Sequence, residues 1–396
     1  MNIIYIFTTP SLTTSSVQTK VLSQISGLQN AGAFCKGAFF TTLVNAETKL
    51  NENVNFYPIK KTNKKYFNIL FQRRELDIVL RDFISKEYDN VDFFYIRYPG
   101  ATKQFLKIIK KFGSKIILEH QSKELDEIKS LMAENKFGFT PSKFLSWFQY
   151  SFMPFYLEYY YGPMISKNIK ACVAVTNEIG NYQEQKGCNN KIVITNGIGV
   201  FDYQVRASRK SNAPITLLFL KGTSTVAEWN GIERIVDSID KYEGSKNDIK
   251  LIICGHFIDD EIPQRSFIEH KGYLSKEELN KLFDNVDIGI STLALYKKNF
   301  KEATVLKTRE YIARGLPFIY AYTDPDLNEG TKEFSLEFPN DNSLIDLNKV
   351  IEFVKNTLQN KELPQKMRKY AEEHLDYEVK MKKLLKELQK LKYELL

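Results

Sequence analysis

Short apolar runs rich in β-branched and aromatic residues alternate with longer segments whose apolar residues recur every three to four positions, and the alternation continues along most of the chain. That pattern specifies parallel strands joined by crossover helices, because each helix offers one apolar face to cover the sheet between successive strands. In the first half the predicted strands are Ile3–Phe7, Phe34–Phe40, Phe93–Arg97, Ile116–Glu119, Ala171–Thr176 and Ile192–Thr195. Helices fall between them. Val17, Val21, Ile25 and Leu28 share one face of a helix after Ser16 that Gly32 stops, and Phe105, Ile108, Ile109 and Phe112 repeat the pattern.

A break follows. Asn196-Gly197 is a turn signal, and Val205 to Ala213 is basic, contains serine and has no apolar period, so the linker is placed between Gly197 and Pro214. The alternation then restarts with a strand at Ile215–Leu220, a helix face of Ile232, Ile235, Val236 and Ile239, and a strand at Leu251–Cys254. Ser275 to Glu278 reads as a capping box opening another helix, and Val286–Ser291 as the next strand. The expected organisation is an α/β chain of two doubly wound, Rossmann-like domains. Residues 1–200 form the first and 201–375 the second, followed by a Lys/Leu-rich helix over 376–396.

With 43% hydrophobic and 26% charged residues, the chain is neither a disordered segment nor a small disulfide scaffold. Its 56 Lys and Arg against 48 Asp and Glu leave a net charge of +8, too dilute for nucleic-acid binding without a concentrated patch. Cys35, Cys172, Cys188 and Cys254 lie far apart with no CxxC pair, which suggests neither a metal site nor a disulfide framework and fits a reducing, cytoplasmic compartment. The first apolar run lacks the basic flank and cleavage site of a signal peptide and reads as a strand.

Most of the chemistry lies between Lys301 and Ile319. Arg314-Gly315-Leu316-Pro317 carries the signals of a helix end, followed by a strand from Phe318 to Tyr322. Counting back, a helix starting near Thr304 places Lys307 in its first turn, Glu310 in its body and Glu302 in the loop before it. The open amides of Thr304, Val305 and Leu306 would form an anion site reinforced by the helix dipole, with Lys307 adding a positive charge. Within one helix the two glutamates would stand ~80° and ~12 Å apart, so they grip different parts of a long ligand. A carboxylate accepts two hydroxyl hydrogen bonds from a vicinal diol, which suits Glu310 on a ribose and Glu302 on a second sugar beyond a diphosphate. Solvated charges on an amphipathic helix are the plainer alternative.

Glu302-x7-Glu310 followed by Tyr311-x-Ala313-x-Gly315-x-Pro317, in the second of two α/β halves, resembles the retaining GT-B glycosyltransferases of the large group commonly numbered four. Val173 to Thr176, Thr195 to Ile198, Trp229 to Ile232, Lys271 to Leu274 and Asn285 to Asp287 fall in the order that family shows. The resemblance implies two domains facing across a cleft, with Glu310 on the nucleotide ribose, Glu302 on the donor sugar and Lys307 on the diphosphate. It also implies donor contacts from Thr304, Val305 and Leu306, from Lys221 and Gly222 on the first loop of the second half, and from Tyr273 and Leu274. Where the family often carries an Arg and a Lys on that loop, this chain has Thr223 and Asn230, so Lys221 or Arg234 would have to substitute. The family's glycine-rich first loop is replaced by the hydroxyl-rich run Thr8 to Ser15.

His120 ends a predicted strand, where α/β sheets bind ligands, and similar enzymes place a histidine there beside the donor sugar. A strand-end histidine satisfied by its neighbours is the alternative; His256 and His270 are weaker candidates. Asp324-Pro325-Asp326 superficially matches a metal-binding pair of aspartates, but proline between two aspartates after a strand is an ordinary turn, and no metal is expected. P-loop, HExxH, GxSxG and GxGxxG motifs are absent.

Phe137 to Tyr161 holds twelve aromatic residues, including Trp147. Such a belt fills a core, stacks on sugars or anchors at a lipid interface; Lys60-Lys61, Lys64-Lys65, Arg73-Arg74 and Lys110-Lys111 in the same half would favour an anionic leaflet. The run from Phe144 to Ile165, interrupted by Pro154 and Glu158, suits lying on a membrane better than crossing one.

The sequence therefore points to a cytoplasmic glycosyltransferase, with attachment to the inner face of the plasma membrane and an aromatic belt that only fills the core as the two open readings. It would take a UDP- or GDP-linked sugar and a glycan or lipid-linked acceptor in surface polysaccharide or glycolipid synthesis, with no metal and no nucleic-acid partner. A sugar-nucleotide epimerase of the same architecture and a non-catalytic GT-B partner are the alternatives.

Overall fold

The computed structural model describes residues 1–9, 16–42, 53–60, 68–134, 140–207, 214–222, 228–245, 248–255 and 264–393. Thr223, His256, Lys61, Lys64, Lys65, Phe137, Phe139, most of the hydroxyl-rich first loop and part of the expected linker lie outside the described residues. The chain forms two compact units, one of residues 1–195 with 378–396 and one of residues 196–377. Each is Rossmann-like.

The first unit is built on seven parallel strands: β1 (Asn2–Thr9), β2 (Phe34–Thr41), β3 (Val54–Pro58), β4 (Phe93–Arg97), β5 (Ile116–His120), β6 (Ala171–Ala174) and β7 (Lys191–Val193), in the order β3-β2-β1-β4-β5-β6-β7. The central strands are near-continuously apolar because both their faces are covered; Phe93 to Ile96 and Ile116 to Leu118 are wholly buried. β3 was not expected from the sequence: Val54 is its single buried residue, so it carries too weak an apolar pattern to read.

The helices described between its strands are α1 (Ser16–Asn30), α2 (Asn68–Glu87), α3 (Lys103–Phe112), α4 (Glu124–Glu134), α5 (Pro141–Trp147), α6 (Met153–Lys167) and α7 (Asn177–Gln185). The predicted apolar face of α3, Phe105, Ile108, Ile109 and Phe112, packs in one core with Ile4, Ile6, Phe94 and Ile165. Between α5 and α6 the helix widens at Phe148–Phe152, where the Met153 N–H reaches back five residues to the Phe148 carbonyl. Pro154 follows directly, and the wider turn accommodates a residue that cannot donate to an ordinary helical ladder. No helix among the described residues is long and apolar enough to cross a membrane.

The second unit has six parallel strands: β8 (Ile215–Lys221), β9 (Ile249–Gly255), β10 (Ile268–Gly272), β11 (Ile288–Ile290), β12 (Phe318–Tyr320) and β13 (Ser335–Glu337), in the order β10-β9-β8-β11-β12-β13. The order reverses direction between β8 and β11, the point where open α/β sheets bind ligands at strand carboxyl ends. Its helices are α8 (Ile232–Asp240), α9 (Lys276–Phe283), α10 (Leu306–Arg314), α11 (Leu347–Gln359) and α12 (Leu363–Tyr370). Ile232, Ile235, Val236 and Ile239 of α8 are buried against β8, β9 and β11, each contributing roughly 1.5–3 kcal/mol of apolar burial. Ser275 caps α9 with the expected reciprocal bonds to Glu278. Helix α13 (Tyr377–Tyr393) returns the chain to the first unit, where Lys380 Nζ bonds Thr195 Oγ1 at 2.6 Å and Lys392 pairs with Asp92 at 2.8 Å.

Candidate functional site

The loop between β11 and α10 is fixed before the helix begins. Glu302 pairs with Thr323 in a short parallel bridge; the Ala303 N–H donates to the Thr323 carbonyl at 3.1 Å and the Thr323 N–H to the Lys301 carbonyl at 2.9 Å. Helix α10 starts at Leu306, two residues later than expected, with Val305 at its N-cap. A valine side chain cannot cap, so the N–H groups of Val305, Leu306 and Lys307 have no hydrogen-bond partner among the described residues. Thr304 is buried and its carbonyl accepts from Asn196 Nδ2 at 2.8 Å. Three open amides at a helix start, beside the switch point of the sheet, are an arrangement able to receive an anion.

Lys307 supplies a cation to that site. Its Nζ lies 3.1 Å from Asn230 Oδ1 and 3.9 Å from the centroid of the buried Phe219 ring, with no carboxylate paired to it among the described residues. Desolvation brings its pKa from 10.5 down to about 7. Asn230 is held by its own carbonyl, which accepts from the Leu293 N–H at 3.0 Å, and by Gly231, whose φ of +73° is left-handed. A Cβ at Gly231 would stand 2.9 Å from backbone atoms of Leu293 and Ala294, so only glycine fits.

Three residues on from Lys307, and therefore on the same side of the helix, Glu310 offers one carboxylate oxygen. Its Oε1 accepts from Arg314 Nε at 2.8 Å, while Oε2 has no partner among the described residues. Burial raises the Glu310 pKa and Arg314 opposes the rise. Arg314 is fixed in turn by Asn280 Oδ1 at 2.6 Å and by the rings of Phe283 and Tyr203.

Tyr311 belongs to the motif read from the sequence, but its role in holding α10, with Thr308 and Arg309, was not anticipated. Tyr311 hydroxyl donates to the carbonyls of Leu218 on β8 and Ile290 on β11, at 3.3 and 3.1 Å, tying the helix across the switch point. Thr308 Oγ1 bonds Ser291 Oγ at 2.6 Å and Tyr322 hydroxyl at 2.7 Å. Arg309, fully buried, donates to the Asn196 carbonyl at 3.0 Å, to both oxygens of Asp324 and to Asp326 at 2.6 Å. The aspartates of the Asp324-Pro325-Asp326 turn are thus engaged by Arg309.

Arg234 is engaged by protein groups in this structure. Its guanidinium donates to the carbonyls of Ser343 and Pro339, at 2.6 and 3.0 Å, and to Asp341 at 3.4 Å in the loop after β13, and to the Leu293 carbonyl after β11 at 2.5 Å. Lys221 is buried at the end of β8, with Gly222 following it. Tyr273 and Leu274 follow β10. Tyr273 is exposed, whereas Leu274 lines a groove of about 600 Å³ with Thr216, Ile252 and Leu282; Glu302, Lys307 and Glu310 do not line it. His270 is exposed on β10.

In the first unit, His120 ends β5 and is buried. Its Nδ1 meets the Glu124 carboxylate and lies 3.0 Å from Gln183 Nε2, while its Nε2 has no partner among the described residues. Glu124 also accepts from Lys186 at 3.0 Å, and Lys186 pairs with the buried Glu158 at 2.8 Å. Burial alone would raise the Glu124 pKa, but His120 and Lys186 hold it down to about 2. The imidazole is oriented at Nδ1, while Nε2 is buried and unsatisfied among the described residues.

No protein-family model and no curated protein matches the sequence. Solved structures do. Sucrose-phosphate synthase from Thermosynechococcus elongatus superposes with a TM-score of 0.66 at 11% identity, covering 100% of both chains. The fold is GT-B. Anabaena HepE, solved with UDP and glucose, gives a TM-score of 0.56 at 11% identity over 99% of this chain and 98% of its own. The pneumococcal O-GlcNAc transferase GtfA, solved with UDP and GlcNAc, gives 0.56 at 11% identity over 99% of each chain. GT-B here means the two Rossmann-like domains described above, with α10 following the second strand of the switch point.

Proposed function

We propose that this protein is a glycosyltransferase that takes a sugar from a nucleotide-diphospho-sugar, with the second unit holding the donor and the first the acceptor. The observation that carries the reading is the start of α10: three open amides, the Lys307 amine with no carboxylate partner among the described residues and the open oxygen of Glu310 on one side of one helix. A diphosphate satisfies the amides and the cation, and a ribose diol donates to Glu310. Departing charge on the β-phosphate is then met by groups already in place, the kind of preorganised electrostatics that dominates such reactions. Asp324 and Asp326 are engaged by Arg309, and the cradle proposed here consists of the amides and Lys307.

The finer reading follows the family resemblance: a retaining enzyme of the group-four type, with Glu302 on the donor sugar and His120 beside it. UDP or GDP is the carrier, and the acceptor is a glycan or lipid-linked sugar of surface polysaccharide or glycolipid synthesis on the cytoplasmic side. The UDP and sugar in the HepE and GtfA structures support the donor class.

The test is a thermal-shift panel of UDP, GDP, ADP and CMP and their common sugar conjugates on wild type and Glu310→Ala. A ligand at 100 times its dissociation constant adds ~2.7 kcal/mol. One nucleotide stabilising wild type and not the variant supports the reading, as does near-complete loss of turnover in Lys307→Ala. Stabilisation by none, with no transfer, moves a non-catalytic GT-B partner ahead; C2 inversion of the donor identifies an epimerase.

A further inference from the structure

We propose that the outer surface of α3, α5 and α6 docks on an anionic lipid bilayer. The inference is independent of the nucleotide site, which lies in the other unit.

From Phe144 to Ser166 the single charged residue is Glu158, where the chain average of 26% would place about six. Glu158 faces inward: it is 2% exposed, pairs with Lys186 at 2.8 Å, and accepts from Tyr98 hydroxyl at 2.9 Å and the Ala101 N–H at 3.1 Å. The outward surface of these 23 residues therefore carries no charge. It carries rings instead. Phe144, Tyr150, Phe152, Tyr156, Tyr159 and Tyr160 are 39–65% exposed, so filling a core is not their role. Tyr156, Tyr159, Tyr160 and Pro163 follow the i, i+3, i+4, i+7 spacing of a single helical stripe. A water-exposed aromatic stripe of this kind, uncharged and tipped with hydroxyls, matches the boundary between headgroups and acyl chains, where tyrosine and tryptophan accumulate.

Of the two helices packed beside α6, α4 has Glu124 paired with Lys186 and Asp126 with Lys123, and the charge of α3 decides between occupants. α3 packs beside α6 in the same core. Its exposed residues are Lys103, Gln104, Lys107, Lys110 and Lys111, and the helix contains no acidic residue. An uncharged aromatic stripe flanked by a row of lysines complements an anionic leaflet: the rings enter the interface while the lysines stay among the headgroups. Each lysine near such a surface adds roughly fivefold to affinity, screened by salt.

The experiment is co-sedimentation of the full chain with vesicles of phosphatidylcholine alone or mixed with phosphatidylglycerol, at low and high salt. Wild type should sediment with the anionic vesicles, weaken with salt and bind zwitterionic vesicles at least tenfold less. Lys107→Glu with Lys110→Glu should reduce anionic binding at least tenfold. Tyr156→Ser with Tyr159→Ser should reduce it at both salt concentrations. Both double variants should keep the wild-type melting temperature, since every substituted side chain is exposed. If wild type sediments equally with both vesicles or with neither, the proposal fails. It also fails if the charge-reversed variant binds like wild type, or if the tyrosine variant instead dissolves a self-associated species in analytical ultracentrifugation.

Discussion

The Nζ of Lys307 lies 3.1 Å from Oδ1 of Asn230, 77 positions earlier in the chain. A neutral amide can hold the amine in place but cannot replace the water the cation has lost, which is why the pKa falls to about 7. An incoming diphosphate would restore the charge. Above pH 7 the free protein holds this lysine mostly neutral, so binding takes up a proton and affinity should fall up to tenfold per pH unit as pH rises from 7. Calorimetry in buffers of different ionisation enthalpy measures that uptake, and it should vanish in Lys307→Met. Without ligand the sign reverses: between pH 7 and 10.5 the unfolded chain binds the extra proton, so wild type gains stability with rising pH and the Met variant lacks that gain.

Gly231→Ala should act on the same pair without touching it. The left-handed backbone and the 2.9 Å approach to Leu293 and Ala294 predict a loss of roughly 1–3 kcal/mol. Because Asn230 precedes it directly, the donor KM should rise in surviving protein. Urea unfolding and steady-state kinetics read the two effects; an unchanged KM at reduced stability would detach Asn230 from the donor site.

Asp324→Asn removes the partner of a buried guanidinium and should cost roughly 3–5 kcal/mol. Asp326 keeps one bond to Arg309 and is partly exposed, so Asp326→Asn should cost less. The ordering of the two urea midpoints is the check.

Glu124 makes a prediction about acid. Its pKa is held at about 2 against 4.5 in the unfolded chain, so it contributes stability above pH 4.5 that is lost as pH falls towards 2. Glu124→Gln should be less stable than wild type by roughly 1–3 kcal/mol at pH 7, and the difference should shrink between pH 4.5 and 2. A constant difference across that range would mean that packing, not charge, is what the substitution removed.

The strands of both sheets were largely legible because buried parallel strands are continuous apolar runs, as at Phe93–Arg97 and Ile116–His120. The edge strands Val54–Pro58 and Ser335–Glu337 were not, since a strand covered on few sides needs few apolar residues. In the second unit the helix end at Arg314-Gly315 was plain from local signals, but its start was misjudged: Val305 gives none of the hydroxyl or carboxylate cues that mark an N-cap. Arg234 reads identically in sequence whether it faces a phosphate or three carbonyls. The partnerships of Lys307 with Asn230 and of Arg309 with Asn196 join residues from distant parts of the chain, and no local pattern encodes them.

The first unit is assembled from both ends of the chain, since residues 378–396 belong with residues 1–195. Met381, Leu384 and Leu388 are fully buried. During synthesis, the first 195 residues emerge long before the helix that completes their unit, and must wait for about 180 further residues, exposing uncovered apolar surface meanwhile. The second unit is continuous in sequence and is under no such delay. The half of the molecule made first is therefore the half finished last, and a ribosome that stalls before Glu378 releases a chain inclined to aggregate.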